Sequence, residues 1–218
     1  MPIHVFLADD HEMVRDGLGL LLDREEDIRV VGKAADGLEA VRRIRDTRPN
    51  AVVMDIAMPS LNGIEATRRI VEETPETAVL ILSMHATSEH IFQALRAGAK
   101  GYVLKESAGR ELVEAVRAVV AGKRYITPKI QEIIMEDYVH RGETPAGKSP
   151  LERLTVRERE ILQMVVEGKP SARIAETLLL SRKTVETYRS RMMEKLGVRD
   201  VPGLVKFAIQ HGLTSLES

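Results

Sequence analysis

The sequence predicts an α/β domain built on a parallel sheet, followed by a small all-helical domain. Three observations predict it. Over residues 1–122, short apolar runs alternate with amphipathic stretches five times, the pattern of strands joined by crossover helices that cover both sheet faces. The run Arg141–Pro150, RGETPAGKSP, is polar and holds two Gly and two Pro, the composition of a domain boundary. Charge divides at the same place: 18 Lys and Arg stand against 23 Asp and Glu up to His140, and 14 against 10 from Arg141 onward. An acidic front and a basic back imply different partners, the second one polyanionic.

The elements follow in order. Ile3–Ala8 is a strand ending in Asp9-Asp10, and Glu12–Leu22 carries a helical stripe of Val14, Leu18, Leu21 and Leu22. Ile28–Ala34 is a strand ending near Asp36-Gly37, which reads as turn chemistry only; Leu38–Ile44 is a helix closed by Pro49. Val52–Asp55 is too short for a helix, is β-branched, and is bounded by Pro49-Asn50 and by Met58-Pro59 and Asn62-Gly63. It reads as a buried strand that delivers one carboxylate to its C-terminal end. Ile64–Val71 is a helix, Ala78–Ser83 a strand, Glu89–Leu95 a helix stopping at Gly98, and Gly101–Lys105 a strand. Ser107 caps a helix running to Gly122, and Thr127-Pro128 starts a linker helix with Ile130, Ile133, Ile134 and Tyr138 on one side, its apolar pattern opening at Ile126. The domains expected are 1–122, a linker at 123–150 and a second domain at 151–218.

Composition excludes several classes. There is no cysteine, hence no disulfide framework, thiolate metal site or cysteine nucleophile; this fits a cytoplasmic setting. No apolar run approaches the ~18–20 residues of a membrane span. The N-terminus lacks a charged n-region, so no signal peptide is expected.

Right-handed crossovers place all five strand ends on one edge of the sheet, where open α/β sheets bind ligands. Those ends carry Asp9, Asp10, Asp55, Ser83 and Lys105. Crowded carboxylates repel and call for a cation. Oxygen donors without His or Cys partners suit Mg²⁺, which binds through one or two carboxylates plus phosphate oxygens. A carboxylate beside such an ion can act as a nucleophile toward phosphorus; Lys105 would neutralise phosphoryl oxygens and Ser83 would hydrogen-bond them. His85 and His90 lie near this edge without a ligand partner at metal spacing and read as surface residues. Lys105 as a solvated strand end and Tyr102 as a packed strand aromatic are the simpler alternatives.

From Pro2 to Gly122 these residues resemble the receiver domain of bacterial response regulators. The resemblance implies a flavodoxin-like fold with strand order 2-1-3-4-5 and makes Asp55 the phosphoacceptor. It implies that Asp10, Asp55 and the Ala57 carbonyl hold Mg²⁺, with Asp9 acting through a metal-bound water. Ser83 becomes the switch hydroxyl and Tyr102 the switch aromatic. One residue departs from the pattern: Glu106 follows Lys105 where many receivers have Pro with a cis bond, which leaves the geometry of that bond open.

In the second domain, Leu154–Gly168 opens with Thr155 and Glu158 in capping-box spacing, ahead of Ile161, Leu162, Val165 and Val166. Ser171–Leu179 is a short helix, Leu179-Leu180 a tight turn without the usual Gly, and Ser181 caps Arg182–Leu196. Val201–His211, with Pro202 in its first turn, is the last helix. Short helix, tight turn and longer helix make a helix-turn-helix. On a wheel of Arg182–Leu196, Val185, Tyr188, Met192 and Leu196 face inward. Lys183, Glu186, Thr187, Ser190 and Glu194 face outward, with Arg182, Arg189, Arg191 and Lys195 on the flanks. That arrangement fits a helix lying in the major groove of double-stranded DNA, its flanks on phosphates; Thr184, near its start, joins the candidate contacts. An ordinary solvated helix has the same wheel. The stretch LTVREREILQMVVEGKPSARIAETLLLSRKTVETYRSRMMEKLGV, Leu154–Val198, closely resembles a LuxR-type helix-turn-helix of NarL- and FixJ-like response regulators. The resemblance implies promoter binding as a homodimer.

The reading is a two-component response regulator that takes phosphate from a sensor histidine kinase and regulates transcription. It is not expected to be an enzyme, beyond losing its own phosphate. Two rivals stand beside it. A haloacid-dehalogenase-type phosphatase also uses Asp and Mg²⁺ at a strand end, but needs a second acid where this chain has Ala57. A protein-interaction module would lack DNA affinity, against which stand six basic residues between Arg182 and Arg199.

Overall fold

Strands β1 (Ile3–Ala8), β2 (Ile28–Ala34), β3 (Ala51–Asp55), β4 (Ala78–Ser83), β5 (Gly101–Leu104) and β6 (Tyr125–Ile126) pair in parallel in the order β2-β1-β3-β4-β5-β6. This is a computed structural model, and it describes residues 1–84, 87–141 and 150–211. The chain forms two compact units, Met1–Gly142 and Glu143–Ser218.

The helices of the first unit are α1 (Glu12–Asp23), α2 (Gly37–Thr47), α3 (Gly63–Glu73), α4 (Ser88–Arg96), α5 (Ala108–Val120) and α6 (Pro128–Arg141). Period-two alternation along each strand feeds two cores. Phe6, Val52, Met54, Val79, Ile81, Tyr102 and Leu104 face one way, among Ile44, Ile64, Ile70, Ile91 and Ala94. Val5, Leu7, Val53, Leu80, Leu82 and Val103 face the other, among Leu18, Leu22, Leu112, Val116 and Val119. Both faces being covered, β3, β4 and β5 read as nearly unbroken apolar runs rather than as alternation. The order reverses between β1 and β3, so the switch point of the sheet lies between the ends that carry Asp9 and Asp55.

The structure differs from the sequence reading at four places and decides the geometry of one bond that the sequence left open. A sixth strand is present: Tyr125 and Ile126 pair with Gly101 and Tyr102, so Ile126 belongs to the sheet, and α6 begins at Pro128. Two residues are too few to leave an alternation signal. Lys105 lies beyond β5, in a 3-10 turn of Lys105–Ser107. Ser107 does not cap α5; its backbone is already helical and its hydroxyl donates to the Leu104 carbonyl at 3.1 Å, whereas a capping residue keeps extended backbone. The Lys105–Glu106 bond is trans, as are all peptide bonds among the described residues. Asp36, read as turn chemistry, caps α2 by accepting from the Glu39 N–H at 2.8 Å.

Helix α6 packs on α4 and does not stand free: Ile130 is fully buried, and Ile133 and Ile134 lie against the same core as Ile91 and Ala94. Most of the predicted boundary Arg141–Pro150 lies outside the described residues, as does His85.

The second unit opens with a 3-10 turn, Pro150–Arg153, followed by α7 (Val156–Val166), α8 (Ser171–Leu178), α9 (Arg182–Leu196) and α10 (Val201–Gln210). Thr155 and Glu158 form the capping box reciprocally, and the Ser181 hydroxyl accepts from the Thr184 N–H at 3.0 Å. Ile161, Leu162, Met164, Ile174, Leu178, Val185, Met192, Leu204 and Ala208 are buried. The turn between α8 and α9 manages without Gly because Leu179 itself adopts the left-handed conformation, φ 54°, with its side chain in solvent. No described helix is long and apolar enough to cross a membrane.

Candidate functional site

Asp9 directly follows β1, Asp55 ends β3, and Lys105 directly follows β5, so the sheet itself delivers all three to one edge. The Lys105 Nζ donates to Asp55 Oδ2 at 2.8 Å. It also stands 2.7 Å from Asp9 Oδ2, an ion pair without hydrogen-bond alignment. All three side chains are buried, none more than 7% exposed. Gly63 makes this packing possible: a Cβ there would sit 1.9 Å from the Asp55 carbonyl oxygen, so α3 can start against the end of β3 only without a side chain.

Asp10 lies at the rim, exposed, with the His11 Nδ1 at 2.8 Å from its Oδ1. The His11 N–H donates to Asp9 Oδ1 at 2.9 Å. Donor atoms of Asp9, Asp10, His11 and Asp55 all fall within 4.8 Å of one another. Sequence reasoning missed His11; the signal available was its place directly after the acidic pair, where α1 starts. Ala57 lies two residues past Asp55, exposed, in the loop leading to α3.

Register fixes the remaining residues. Asp55 pairs with Leu82, and Ser83 with Leu104, so the carboxylate, hydroxyl and ammonium follow at successive steps along the edge. Ser83 is buried and hydrogen-bonds the Tyr102 side chain, which is fully buried beneath it. His90 is half-buried in the first turn of α4.

Electrostatics follow from burial and crowding. Burial pushes the Asp55 carboxyl up to about 6; Lys105 opposes this and the charge of Asp9 adds to it. Burial pulls Lys105 down, but Asp55 and Asp9 outweigh it and hold the ammonium above its ordinary range. Burial pushes the Tyr102 hydroxyl up to about 12. Asp9 and Asp55 share the one ammonium of Lys105, with Asp10 beside them, and the surplus negative charge on hard oxygen donors suits a divalent cation.

In the second unit, α9 turns Val185 and Met192 inward, with Tyr188 and Leu196 half-buried, and leaves Lys183, Glu186, Thr187, Ser190 and Glu194 exposed, as the wheel predicts. The candidate contacts then divide. Lys183 and Arg191 are exposed and make no ion pair among the described residues. Arg182 pairs with Glu186 at 3.0 Å along the helix. The hydroxyls of Thr187 and Ser190 donate back to the Lys183 and Glu186 carbonyls, and the Thr184 hydroxyl shares a hydrogen with Ser181. Arg189 donates to the Ser171 hydroxyl at 3.0 Å. Lys195 bridges both oxygens of Glu158, at 2.9 and 2.7 Å. Burial pushes Glu158 up, but Lys195 and Thr155 prevail and hold it below the usual carboxylate range.

Comparison with known proteins matches both halves. Residues 5–117 match the response regulator receiver domain, and residues 152–208 match the luxR family of bacterial regulatory proteins. The chain is 38% identical to the oxygen regulatory protein NreC of Staphylococcus epidermidis over 213 residues, 96% of this chain and 98% of that protein. A crystal structure of a LuxR-family two-component response regulator from Aurantimonas sp. superposes with a TM-score of 0.61 at 42% identity, over 64% of this chain and 99% of that one. A structure of two RcsB dimers bound to two parallel DNAs superposes with a TM-score of 0.58 at 25% identity, over 95% of this chain and 98% of that one. With a receiver sheet ending in Asp9, Asp55 and Lys105 and a LuxR-type helix-turn-helix behind it, the chain belongs to the response regulators of the LuxR family.

Proposed function

We propose that this chain accepts a phosphoryl group on Asp55 from a sensor histidine kinase and regulates transcription by binding double-stranded promoter DNA through α9. The observation that carries the reading is the buried bridge Asp9–Lys105–Asp55 at the switch point of the sheet. With its carboxyl at about 6, Asp55 is largely ionised at neutral pH, yet poorly solvated, which suits a nucleophile. An Asp55 oxygen attacks phosphorus of a kinase phosphohistidine. The O–P bond forms as the N–P bond breaks, and the imidazole leaves with the electron pair and gains a proton from solvent. Lys105 neutralises the incoming oxygens, and Ser83 turns its hydroxyl from Tyr102 toward them. Asp9, Asp10, Asp55 and the Ala57 carbonyl would hold Mg²⁺, which when bound supplies positive charge for the phosphoryl oxygens.

Residues 1–122 act as the receiver and 151–218 as the DNA-binding domain, with 123–150 between them. On α9, Lys183 and Arg191 are the cations free to meet phosphates, and Thr187 and Ser190 are small enough to approach base edges. RcsB, a relative, is described as dimers on DNA; we extend a homodimer to this chain, at work in the cytoplasm, where promoters are. Its chemistry is a single phosphoryl acceptance followed by slow hydrolysis, not turnover.

The test treats the full chain with acetyl phosphate and Mg²⁺, and follows intact mass and gel shift on promoter DNA. Wild type should gain one phosphoryl group and bind DNA more tightly, while Asp55→Asn should gain none. Labelling that persists in Asp55→Asn, or steady turnover of a small phosphoester, would remove the reading.

A further inference from the structure

We infer that α6 is a latch, docked on Glu106 in the turn that carries Lys105 and on Ser88 at the start of α4, and that phosphorylation of Asp55 releases it. The release rests on the proposed phosphorylation; the dock itself does not.

The latch has two polar ends and an apolar middle. Lys129, in the first turn of α6, pairs with Glu106 at 2.6 Å, and Glu106 directly follows Lys105. Asp137, two turns on, accepts a hydrogen bond from the Ser88 hydroxyl at 2.9 Å; Ser88 opens α4, on the far side of the loop from Ser83. From Lys129 to Asp137 the helix spans ~12 Å at 1.5 Å per residue, so one rigid element touches both the turn after β5 and the start of α4. Between its ends, Ile130 is fully buried, and Ile133 and Ile134 pack on the core that holds Tyr102 and Leu104. Positions 130, 133, 134 and 137 share one helical face. Asp137 is half-buried on that face, and its carboxylate gains from the N-terminal end of α4 only while α4 keeps its position.

Glu106 gives the departure from the receiver pattern a use. A Pro at this position could not make the pair with Lys129. The pair is well exposed on both sides, and such pairs are weak and screened. An end held this lightly responds to small shifts in the turn that supports it, and the apolar middle keeps its packing only while both ends stay in register. When Lys105 and Ser83 close on a phosphoryl group, Glu106 and the start of α4 move with them, and both ends of the latch lose register together. Modification shifts the docked population only through this difference between the two loop geometries. By sequence α6 leads into the DNA-binding half, so its release lengthens the tether between the two functions.

Amide hydrogen exchange of the full chain tests this, with intact mass measured in parallel. Pro128–Arg141 should exchange at least about fivefold faster after acetyl phosphate and Mg²⁺ than before, local opening being what exchange reads. Asp137→Ala and Lys129→Glu should each speed exchange in this segment without any phosphodonor. The charge swap Glu106→Lys with Lys129→Glu should restore protection, which a misfolded variant would not. Full phosphorylation with unchanged exchange in α6 overturns the release alone. Unaltered protection in Asp137→Ala and Lys129→Glu overturns the dock. A chain that gains no phosphoryl mass overturns the proposed function and the release together, while the variant series still decides the dock.

Discussion

Lys195 Nζ lies 2.7 Å from Glu158 Oε2, tying the last turn of α9 to the capping box of α7. Glu158 is buried and Lys195 partly exposed, so the pair is a scaffold contact that sets the pitch of α9. Lys195→Gln leaves a buried carboxylate short of its cation and should destabilise the second unit by about 1–3 kcal/mol. The sign with pH follows from the depressed Glu158 carboxyl: the stabilisation is present above its ordinary value and lost as pH falls through the folded one. Urea unfolding read from amide exchange in Val156–Leu196 checks this. A variant as stable as wild type would return Lys195 to the flank cations.

The same contact separates scaffold cations from DNA cations. Arg191→Gln and Lys183→Gln should each lower the slope of log affinity against log salt by ~1 and weaken all DNA sequences alike. Lys195→Gln should leave that slope unchanged. Fluorescence anisotropy on one promoter duplex at several salt concentrations reads all three. Equal slopes for the three variants would mean that α9 does not sort its cations this way.

Asp55 should be a source of instability in the metal-free protein. Burial keeps its carboxyl at about 6, so between about pH 4 and pH 6 the folded chain holds a proton that the unfolded chain has released, and stability falls as pH rises through that window. Above it the ionised carboxylate costs on the order of 3 kcal/mol. With chelator present, Asp55→Asn should therefore melt higher than wild type at neutral pH, and the gain should shrink toward pH 4. A difference independent of pH would contradict the assignment.

Leu179 sits at φ 54° with its side chain in solvent. Glycine removes the steric cost of this conformation but adds freedom to the unfolded chain. The balance favours Leu179→Gly by about 0.5–1 kcal/mol, measurable by urea unfolding. A loss of stability would show that Leu179 makes contacts beyond this turn.

Much of this was readable in advance, for reasons that differ by residue. Strand ends were legible because β-branched runs stop abruptly at Asp9, Asp55 and Ser83, and parallel topology leaves one edge for them all. The inward stripe of α9 followed from its period. The partners of long side chains were not legible. Nothing in a wheel distinguishes Lys195, which turns back to Glu158, from Arg191, which stays in solvent, because a flexible stem reaches either. β6 escaped because two residues carry no pattern, and the dock of α6 escaped because its apolar stripe does not say which surface receives it. His11 escaped because a lone His beside two acids looks like any helix start.

The most direct measurement is chemical trapping at residue 55. The full chain is treated with acetyl phosphate and Mg²⁺, reduced with borohydride, digested and sequenced by mass spectrometry. The acyl phosphate of an aspartate is reduced to homoserine, and it should appear at position 55 and be absent without phosphodonor. Homoserine at Asp9 or Asp10, or at no aspartate in a protein that has gained phosphate, would contradict the account.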